Sequence, residues 1–366
     1  MSDPASNGAG SNGTGSNGTG SNGTGSNAPE PDLVTVVVPV RNEGSTLRAC
    51  LDSILAQTHR NLQVVVVDGE STDDTVAIVE EYAAADQRVE LVVNPKRIVP
   101  SSLNRALEVA RGTWWVRNDG HSTLPPDYVA VAVEHLRTGR WGGVGGRKDA
   151  VADTDQGRAV AAALASPFGV GNSTYHHGTT VQVVDHVPFG AYPVDVVREL
   201  GGWDEDMVTN QDYEFDYRVR RSGRELLFDP ALRIDWRCPS TVRAFARQYR
   251  RYGRGKVNTL LRHPESGALR HYVAPALVAG LVLGVLLAPV RRLRALALAP
   301  FVAYGLALAA ASARTARTVA GARSKLMLPA AFAAMHLGWG AGFWEELWRV
   351  WRGHGAGAVL RILRRR

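Results

Sequence analysis

The chain has 366 residues, of which 45% are hydrophobic and 21% charged, so it is long enough to bury one large core or two smaller ones. Its two cysteines, Cys50 and Cys238, are too few for a disulfide framework and favour a reducing compartment. From residue 291 onward the chain has 13 of its 42 Lys and Arg and two of its 35 Asp and Glu, a balance of +11; the net charge of +7 therefore leaves −4 for the first 290 residues. A basic excess that flanks apolar runs is typical of membrane anchoring and argues against nucleic-acid binding.

The first 30 residues repeat Ser-Asn-Gly-Thr-Gly units and contain few apolar side chains. Such a segment cannot bury enough surface to offset the entropy lost on ordering, and it lacks the apolar core of a signal peptide. We therefore predict a disordered tether over residues 1–30, ahead of a folded domain that starts at residue 31.

From Leu33, short apolar runs rich in valine alternate with stretches of helical character. The apolar runs cover residues 33–40, 62–69, 89–94 and 113–119, and the helical stretches cover 45–57, 73–85 and 101–110. Continuous apolar runs predict strands covered on both faces, and the strand–helix repetition predicts a parallel sheet. The sequence therefore predicts an α/β fold with a mostly parallel, Rossmann-like sheet and flanking helices, whose ligands bind beyond the carboxyl ends of the strands.

Each of these strands ends in polar residues: Arg41-Asn42-Glu43, Asp68-Gly69-Glu70, Asn94 and Asp119-Gly120-His121. Because the carboxyl ends of parallel strands lie at the same edge of a sheet, we expect the four ends to meet. Asp119 and His121, separated only by a glycine, suit a divalent metal, although an Asp and a His are also ordinary loop residues. The pattern alone leaves both interpretations open.

The C-terminal part has a different pattern, with three apolar runs at 273–290, 295–313 and 326–344 separated by arginines. A run of about 18 uncharged residues can span the hydrocarbon core of a bilayer. We predict a membrane region over 263–366 with two to three transmembrane or re-entrant helices and a basic amphipathic tail. The number of spans stays open, because the last run contains four residues that permit a re-entrant break: Pro329, Gly338, Gly340 and Gly342.

Four motifs occur in a fixed order: PVRNEGSTL, VVVVDGESTDDT, the Asp119-Gly120-His121 turn and NQDYEFDYRVRRSG. Together they resemble the inverting glycosyltransferases of family 2, which have the GT-A fold, and in particular a membrane-anchored branch of succinoglycan-type glucosyltransferases. The resemblance extends over roughly residues 33–260 and implies a GT-A domain over 31–262. The ordered set is specific, whereas a single Asp-x-Asp-like turn would not be.

The resemblance implies a donor site at the first strand ends. Nucleotide-sugar binding is implied for Pro39, Arg41, Glu43, Asp68, Asn118 and Asp119. Asp68 would accept a hydrogen bond from the imide N–H of uracil. In the family, Asp-x-Asp carboxylates hold Mg²⁺ or Mn²⁺ against the donor diphosphate. Here the implied metal ligands are Asp119 and His121, and imidazole suits Mn²⁺ better than Mg²⁺.

The resemblance also implies a base and an acceptor side. Asp212 aligns with the general base that removes the proton of the acceptor hydroxyl as that oxygen attacks the anomeric carbon. Glu214 and Asp216, on the following helix, are expected to be solvated or paired with neighbouring arginines. Contacts to the acceptor or to a diphosphate are implied for Gly190, Trp203, Asp204, Gln248, Arg251 and Tyr252. The last three resemble a Gln-x-x-Arg-Trp motif with Tyr in place of Trp, but RQYRRYGRGK also suits a basic juxtamembrane helix on anionic lipid.

The predicted function is that of an inverting, metal-dependent hexosyltransferase at the cytoplasmic face of the cell membrane, in a multi-pass protein. It would move glucose or another hexose from a UDP-sugar to a polyprenyl-diphosphate-linked saccharide in cell-surface or exopolysaccharide assembly. One alternative is a processive polysaccharide synthase, although three spans are few for a polymer channel. The other is an inactive glycosyltransferase-like membrane scaffold, which Asn118, His121 and Gln211 keep open because they depart from the family pattern.

Overall fold

The computed structural model describes residues 30–363, so the tether predicted for residues 1–30 lies outside the described part except for Glu30. The amino-terminal part alternates strands and helices. Its elements are β1 (Glu30–Val40), α1 (Leu47–Leu55), β2 (Leu62–Asp68), α2 (Thr75–Ala85), β3 (Val89–Val93), α3 (Val99–Val109) and β4 (Gly112–Arg117). The predicted strands and helices are confirmed here, with small differences at their ends.

A second set of elements leads to the membrane region. These are β5 (Ser122–Thr123), α4 (Tyr128–Arg137), β6 (Trp141–Val151), α5 (Asp155–Leu164), α6 (Pro167–Val170), β7 (Gln182–Val184), β8 (Ala191–Pro193), α7 (Val194–Glu199), α8 (Gln211–Arg221), β9 (Glu225–Arg237) and α9 (Val242–Arg262). Short 3₁₀ turns lie at Thr174–His176 and Pro264–Ser266.

One mixed sheet joins all of these strands, with the order β3-β2-β1-β4-β8-β6-β9-β5 and β7 paired with β9. Strands β3, β2, β1 and β4 are parallel to one another, and β6 is parallel to β9. The short β8 is antiparallel to β4 and to β6, and its Ala191 pairs with both. The α/β prediction is confirmed, and the sheet is mixed because this three-residue strand enters between its two parallel parts.

Both faces of the first parallel part are covered, which explains its unbroken apolar strands. On one face, Val36 and Val38 of β1 share a core with Leu51 of α1. On the other face, Val37 shares a core with Leu103 of α3. Each fully buried aliphatic side chain stabilises the fold by about 1.5–3 kcal/mol. Burial on both faces therefore holds these strands in place, together with the polar residues at their ends.

Three helices that follow α9 are long and apolar enough to cross a membrane. They are α10 (Arg270–Leu287), α11 (Arg294–Thr315), which follows a 3₁₀ turn at Arg291–Leu293, and α12 (Ala322–Leu363). In the most apolar 18-residue stretch of each helix, 17% of α10 and 11% of the helix at Arg291–Thr315 is buried inside the protein. The corresponding buried share of α12 is 39%. The outward apolar surface of α10 and α11 supports membrane anchoring, whereas α12 also packs against the α/β domain.

The glycines of the last apolar run are packing positions in a helix. A Cβ at Gly342 would lie 2.0 Å from the carbonyl oxygen of Arg250, and one at Gly253 would lie 2.1 Å from that of Trp339. Across the same contact, Arg250 Nε donates to Glu345 Oε2 (2.8 Å). α12 is helical through these glycines and has a non-helical φ of 73° at Gly355. Whether this run spans the membrane or is re-entrant stays open, as the sequence left it.

Candidate active site

The polar ends of the first four strands meet at one edge of the sheet, as predicted. Backbone hydrogen bonds join them: Gly69 N donates to Val40 O (2.9 Å), Asn94 N to Asp68 O (2.7 Å) and Asn118 N to Val37 O (3.0 Å). A contact between His121 Nδ1 and Glu43 Oε1 (2.9 Å) links the fourth end to the first. These contacts gather the polar residues into one region.

The turn after β1 is held in shape by the turn after β2. Asn42 adopts a left-handed conformation (φ 58°), and its Oδ1 accepts a hydrogen bond from Thr72 N (2.8 Å). The backbone N–H of Asn42 donates to Ser71 Oγ (2.8 Å). Pro39 is buried within β1 and Arg41 is exposed beyond its end, so Arg41 is the more accessible of the two to a nucleotide.

Asp68 closes a turn within its own segment. Its Oδ2 accepts a hydrogen bond from Ser71 N (3.0 Å), its Oδ1 accepts one from Ser71 Oγ (2.5 Å), and the residue is 3% exposed. Oδ1 also shares the hydrogen bond from Ser71 N (3.3 Å), so of the about four acceptor sites of a carboxylate the one still open is on Oδ2. The role of Asp68 toward the uracil imide stays a prediction, and it requires that donor to approach a nearly buried carboxylate.

Asn118 supports the turn that carries Asp119. It is fully buried, and its Nδ2 donates to Ser122 O and to Cys50 Sγ (both 3.2 Å). Its backbone N–H is also bonded, to Val37 O, so the contact with the nucleotide predicted for Asn118 stays a prediction and requires this buried residue to become accessible. Gly120 allows the turn to lie against the first strand end, since a Cβ there would lie 2.8 Å from Val40 Cγ1.

His121 is bonded at both ring nitrogens. The indole N–H of Trp236 donates to His121 Nε2 (2.9 Å), and the indole nitrogen can only donate. The proton of the imidazole is therefore on Nδ1, which donates to Glu43 Oε1. His121 as a metal ligand stays a prediction, and it requires Trp236 to release Nε2.

Asp119 needs no such rearrangement to bind a divalent ion. Its side chain is 16% exposed, and Arg117 donates to it through Nε (2.9 Å to Oδ1) and through Nη2 (3.3 Å to Oδ2), which leaves acceptor positions on both oxygens. Within residues 30–363, no group of three or more His, Cys, Asp or Glu side chains is placed to hold an ion. The donor set therefore fits Mg²⁺ or Mn²⁺ bound by one carboxylate together with substrate phosphate oxygens, as these hard cations often are.

Asp212 lies in the first turn of α8 and shares its electrostatic surroundings with Asp119. Its side chain is 32% exposed, and its Oδ1 accepts a hydrogen bond from Tyr213 N (2.8 Å). Burial raises the pKa of Asp212, but the positive charges of His186 and Arg117 outweigh burial, so the pKa lies below its ordinary value. Because Arg117 also bonds Asp119, the predicted base and the predicted metal ligand lie around the same cation.

Lys148 of β6 is a second cation in this space. Its Nζ lies 3.9 Å from the centre of the Trp236 ring and 4.7 Å from that of the Phe189 ring. Burial lowers the pKa of Lys148 to about 8, although the carboxylates of Asp119 and Asp212 act in the opposite direction. Lys148 therefore adds positive charge where a diphosphate would lie.

The segment at residues 189–190 is shaped for close packing. Phe189 has a φ of 53°, a strained conformation for a bulky residue. A Cβ at Gly190 would lie 2.4 Å from Tyr192 Oη, so glycine leaves room for this hydroxyl to reach Asp216 Oδ1 (2.7 Å). Gly190 thus acts through its lack of a side chain, which makes room for the Tyr192 hydroxyl.

The other two residues implied near the acceptor loop differ in accessibility. Trp203 is 4% exposed, and its ring packs against Trp115 and Phe215 (centroids 5.2 and 4.7 Å apart), so the ring is not open to a sugar. Asp204 pairs with Arg262 (2.9 Å) in the wall of a cavity of about 480 Å³. Only Asp204 of the two presents a side chain that can accept sugar hydroxyls.

Glu214 and Asp216 of α8 have different partners. Glu214 pairs with Arg218 (Oε1 to Nε 2.8 Å), as expected. Asp216 is instead fully buried and accepts hydrogen bonds from His186 Nδ1 and Tyr192 Oη (both 2.7 Å). The arginine pairing expected for Asp216 is wrong, because the helical pattern does not show which face meets the segment that carries His186.

Residues of α9 lie near Asp212. Gln248 Nε2 donates to Tyr252 Oη (2.9 Å). Burial and the charge of Asp212 raise the pKa of Tyr252 to about 12, so Tyr252 lies within electrostatic reach of the predicted base. Arg251 is exposed. The structure thus brings Tyr252 near the site and leaves Arg251 at the surface, accessible to lipid or ligand.

The sheet is mixed, its polar edge lies at the ends of β1, β2 and β4, and a carboxylate lies on a helix beyond that edge. This arrangement is that of the GT-A class of nucleotide-sugar glycosyltransferases. The family models agree with this class. The model described as Glycosyl transferase family 2 matches residues 35–186, and the one described as Glycosyl transferase family group 2 matches residues 118–312. The chain belongs to glycosyltransferase family 2.

Individual relatives and structures are similar over most of the chain. The succinoglycan biosynthesis protein ExoA of Rhizobium meliloti (strain 1021) is 34% identical over 319 residues, which is 85% of this chain and 94% of that protein. The dolichyl N-acetyl-alpha-D-glucosaminyl phosphate 3-beta-D-2,3-diacetamido-2,3-dideoxy-beta-D-glucuronosyltransferase of Methanococcus voltae is 22% identical over 235 residues, 62% of this chain and 73% of that protein. The mannosyltransferase PcManGT from Pyrobaculum calidifontis, solved with GDP-Man and Mn²⁺, has a TM-score of 0.55 at 23% identity and covers 86% of this chain and 87% of its own, which shows the fold.

Sequence reasoning missed three cationic or titratable side chains of the site: Arg117, Lys148 and His186. A signal was available for Arg117, because residues two apart on a strand share a face and Arg117 precedes Asp119 by two. Lys148 and His186 come from distant segments that have no local spacing relative to Asp212. Only the tertiary arrangement brings them to the site.

Proposed function

We propose that the chain transfers a hexose from a UDP-sugar to a polyprenyl-diphosphate-linked saccharide, with inversion at the anomeric carbon. The observation that carries this proposal is the environment shared by Asp119 and Asp212, which face the same two cations, Arg117 and Lys148. An ionised carboxylate beside a cationic diphosphate pocket suits one direct displacement, with a base on the acceptor side and charge stabilisation on the leaving-group side.

In the proposed reaction, Asp212 takes the proton of the acceptor hydroxyl while the hydroxyl oxygen bonds to the anomeric carbon. The bond between that carbon and the diphosphate breaks, and Arg117 and Lys148 stabilise the negative charge that moves onto the diphosphate. Attack from the opposite face inverts the configuration, so an α-linked donor gives a β-linked product. A divalent ion bound by Asp119 would supply further Lewis-acid stabilisation of the leaving group.

The choice of UDP rests on Asp68, because a carboxylate at the end of β2 suits the imide N–H of uracil. A guanine base also offers N–H donors, and the mannosyltransferase of similar fold was solved with GDP-Man. A test of donor choice therefore has to include both nucleotides.

A lipid-linked acceptor is favoured by the place where the membrane helices join the catalytic domain. Tyr213, next to Asp212, donates from its hydroxyl to the carbonyl oxygen of Ser266 (3.2 Å), in the connection between α9 and α10. The proposed base thus lies close to the segment that leads into the apolar helices. We further propose that α10 and α11 cross the cell membrane and that the catalytic domain, with α12 packed against it, lies on the cytoplasmic face.

The mass of the product tests this proposal against a processive synthase and an inactive scaffold. Membranes that contain the full chain, and matched membranes without it, are given UDP- and GDP-hexoses with Mn²⁺, and the extracted lipids are analysed by mass spectrometry. We expect one added hexose on a polyprenyl-diphosphate saccharide, from a UDP-hexose, only where the chain is present. A ladder of many added sugars would indicate a processive synthase, and no transfer from any donor would contradict the proposal.

A further inference from the structure

His186 lies between two carboxylates of α8. Its Nδ1 is 2.7 Å from Asp216 Oδ2, and its Nε2 is 4.0 Å from Oδ2 of Asp212, the proposed base. The side chain is only 10% exposed. Asp212 and Asp216 are one helical turn apart and so face His186 together.

Asp216 is a fixed anchor for this histidine. It is fully buried, and its Oδ2 accepts hydrogen bonds from Val187 N (2.8 Å) and from His186 Nδ1, while its Oδ1 accepts one from Tyr192 Oη (2.7 Å). Burial raises the pKa of the Asp216 carboxyl, and the imidazole, the amide and the phenol, which all donate to it, act in the opposite direction. The bond from Nδ1 fixes the ring so that Nε2 is directed at Asp212.

The charge of the imidazole follows from its neighbours. Several titratable or charged groups face His186 or its two carboxylate partners. They are Asp212, Asp216 and Tyr213 of α8, Asp185, Tyr175 and His176 of the preceding segment, Tyr192 of β8, Arg117 of β4, Lys148 of β6, and Tyr252 and Lys256 of α9. Burial lowers the pKa of His186, but the bond to Asp216 and the charge of Asp212 outweigh burial, and the pKa lies above its ordinary value. The two carboxylates therefore favour the protonated imidazolium over what burial alone would allow.

We propose that His186, anchored beside Asp212 by Asp216, is a positioning residue that keeps the base Asp212 ionised. The inference rests on the proposed function of Asp212. In the transfer step the acceptor proton still goes to Asp212, the new bond forms between the acceptor oxygen and the anomeric carbon, and the bonding electrons leave with the diphosphate. His186 gains and loses no proton in this step; its positive charge offsets the penalty of burying an anionic base.

A purely structural role predicts different behaviour. If the pair of His186 and Asp216 only held the 185–190 segment against α8, its loss would lower stability and turnover at every pH alike. The chain offers a matched control: His135 Nε2 bonds Asp229 Oδ2 over the same distance, 2.7 Å, on α4 outside the site. His135→Gln therefore removes an equivalent histidine–aspartate pair that has no contact with Asp212.

The pH dependence of kcat/KM separates these roles. Turnover falls as pH drops through the pKa of Asp212, because a protonated carboxylic acid cannot accept the hydroxyl proton. His186→Gln keeps a side chain of similar length without the charge, so the pKa of Asp212 should rise and the acidic limb should move up by about 1 pH unit or more. His135→Gln should leave the limb in place. An acidic limb that is unchanged in His186→Gln would overturn the proposal.

A second measurement does not depend on turnover. In the full chain with labelled histidines, in detergent micelles, the NMR signal lost in His186→Gln identifies His186. We expect this signal to titrate above the ordinary value of about 6.5 in the wild type and at lower pH in Asp212→Asn and Asp216→Asn. Titration at or below the ordinary value, or no change in Asp212→Asn, would overturn the proposal. This measurement also separates failure of the inference from failure of the proposed function. A wild type without transferase activity would still show the electrostatic coupling between His186 and the two carboxylates.

Discussion

Asp119 and His121 are one glycine apart on the same turn, yet their surroundings differ. Asp119 keeps acceptor positions open toward the space that it shares with Asp212, whereas His121 uses both ring nitrogens to bond Glu43 and Trp236. In this arrangement His121 joins the ends of β1 and β4 and supports the turn. We therefore expect the two residues that the motif presents as a ligand pair to have separate tasks.

Asp119→Asn and His121→Gln should consequently change the metal requirement differently. Asp119→Asn removes the hard carboxylate ligand, so the Mn²⁺ concentration that gives half-maximal donor turnover should rise about 10-fold or more. His121→Gln removes no ligand as long as Trp236 holds Nε2, so turnover should fall with little change in that concentration. Initial rates over a series of Mn²⁺ concentrations measure both effects.

Glu90→Gln serves as the control for these variants, because Glu90 pairs with Arg111 (2.6 Å) at the surface. It should leave the Mn²⁺ series unchanged. A rise in the Mn²⁺ requirement of His121→Gln as large as that of Asp119→Asn would show that Trp236 releases Nε2 and that the histidine binds the ion.

At the scale of elements, α12 is both an apolar helix and a brace for α9. Gly253 and Gly342 let the two backbones approach, and Glu345 pairs with Arg250 and Arg254 beside this contact. Because α9 carries Tyr252 toward Asp212, the packing of α12 also supports the acceptor side of the site.

Gly342→Ala should lower the stability of the chain. The new Cβ would lie 2.0 Å from Arg250 O, so the helices would have to separate, and overpacking of this kind costs about 1–3 kcal/mol. Gly353→Ala on the same helix is the control, since a Cβ there meets nothing within 4 Å and alanine favours a helix by up to about 1 kcal/mol. We expect thermal unfolding in detergent to give a lower Tm for Gly342→Ala and an unchanged or higher one for Gly353→Ala. Equal Tm values for the two variants would contradict the packing of α12 on α9.

The part of the fold that local pattern could predict ends at about β4. The valine runs of β1 and β2 show burial on both faces, and their polar ends show which edge binds a ligand, so Glu43, Asp68 and Asp119 could be grouped from the sequence. β8 has three residues and ends in proline, so no periodicity marks it. Yet β8 joins the two parallel parts of the sheet, and together with β7, which pairs with β9, it flanks the segment that brings His186 to α8.

At the scale of the whole molecule, the site lies between the sheet edge implied to bind the donor and the segment that leads into the apolar helices. Arg117 and Lys148 face the carboxylates from the sheet, and Tyr213 bonds Ser266 on the side of α10. The central claim of this account is that Asp119 and Asp212 serve one site with separate tasks. In this proposal, Asp119 would hold the donor diphosphate through a divalent ion, and Asp212 would remove the acceptor proton.

The most direct test is to measure donor binding and transfer together in Asp212→Asn. The full chain in lipid vesicles is given its UDP-hexose, Mn²⁺ and a polyprenyl-diphosphate saccharide, alongside the wild type. We predict that the Kd of the donor is unchanged while transfer falls by about 10²–10⁴-fold, the usual contribution of a general base. Transfer at the wild-type rate, or a loss of donor binding that matches the loss of transfer, would contradict the account.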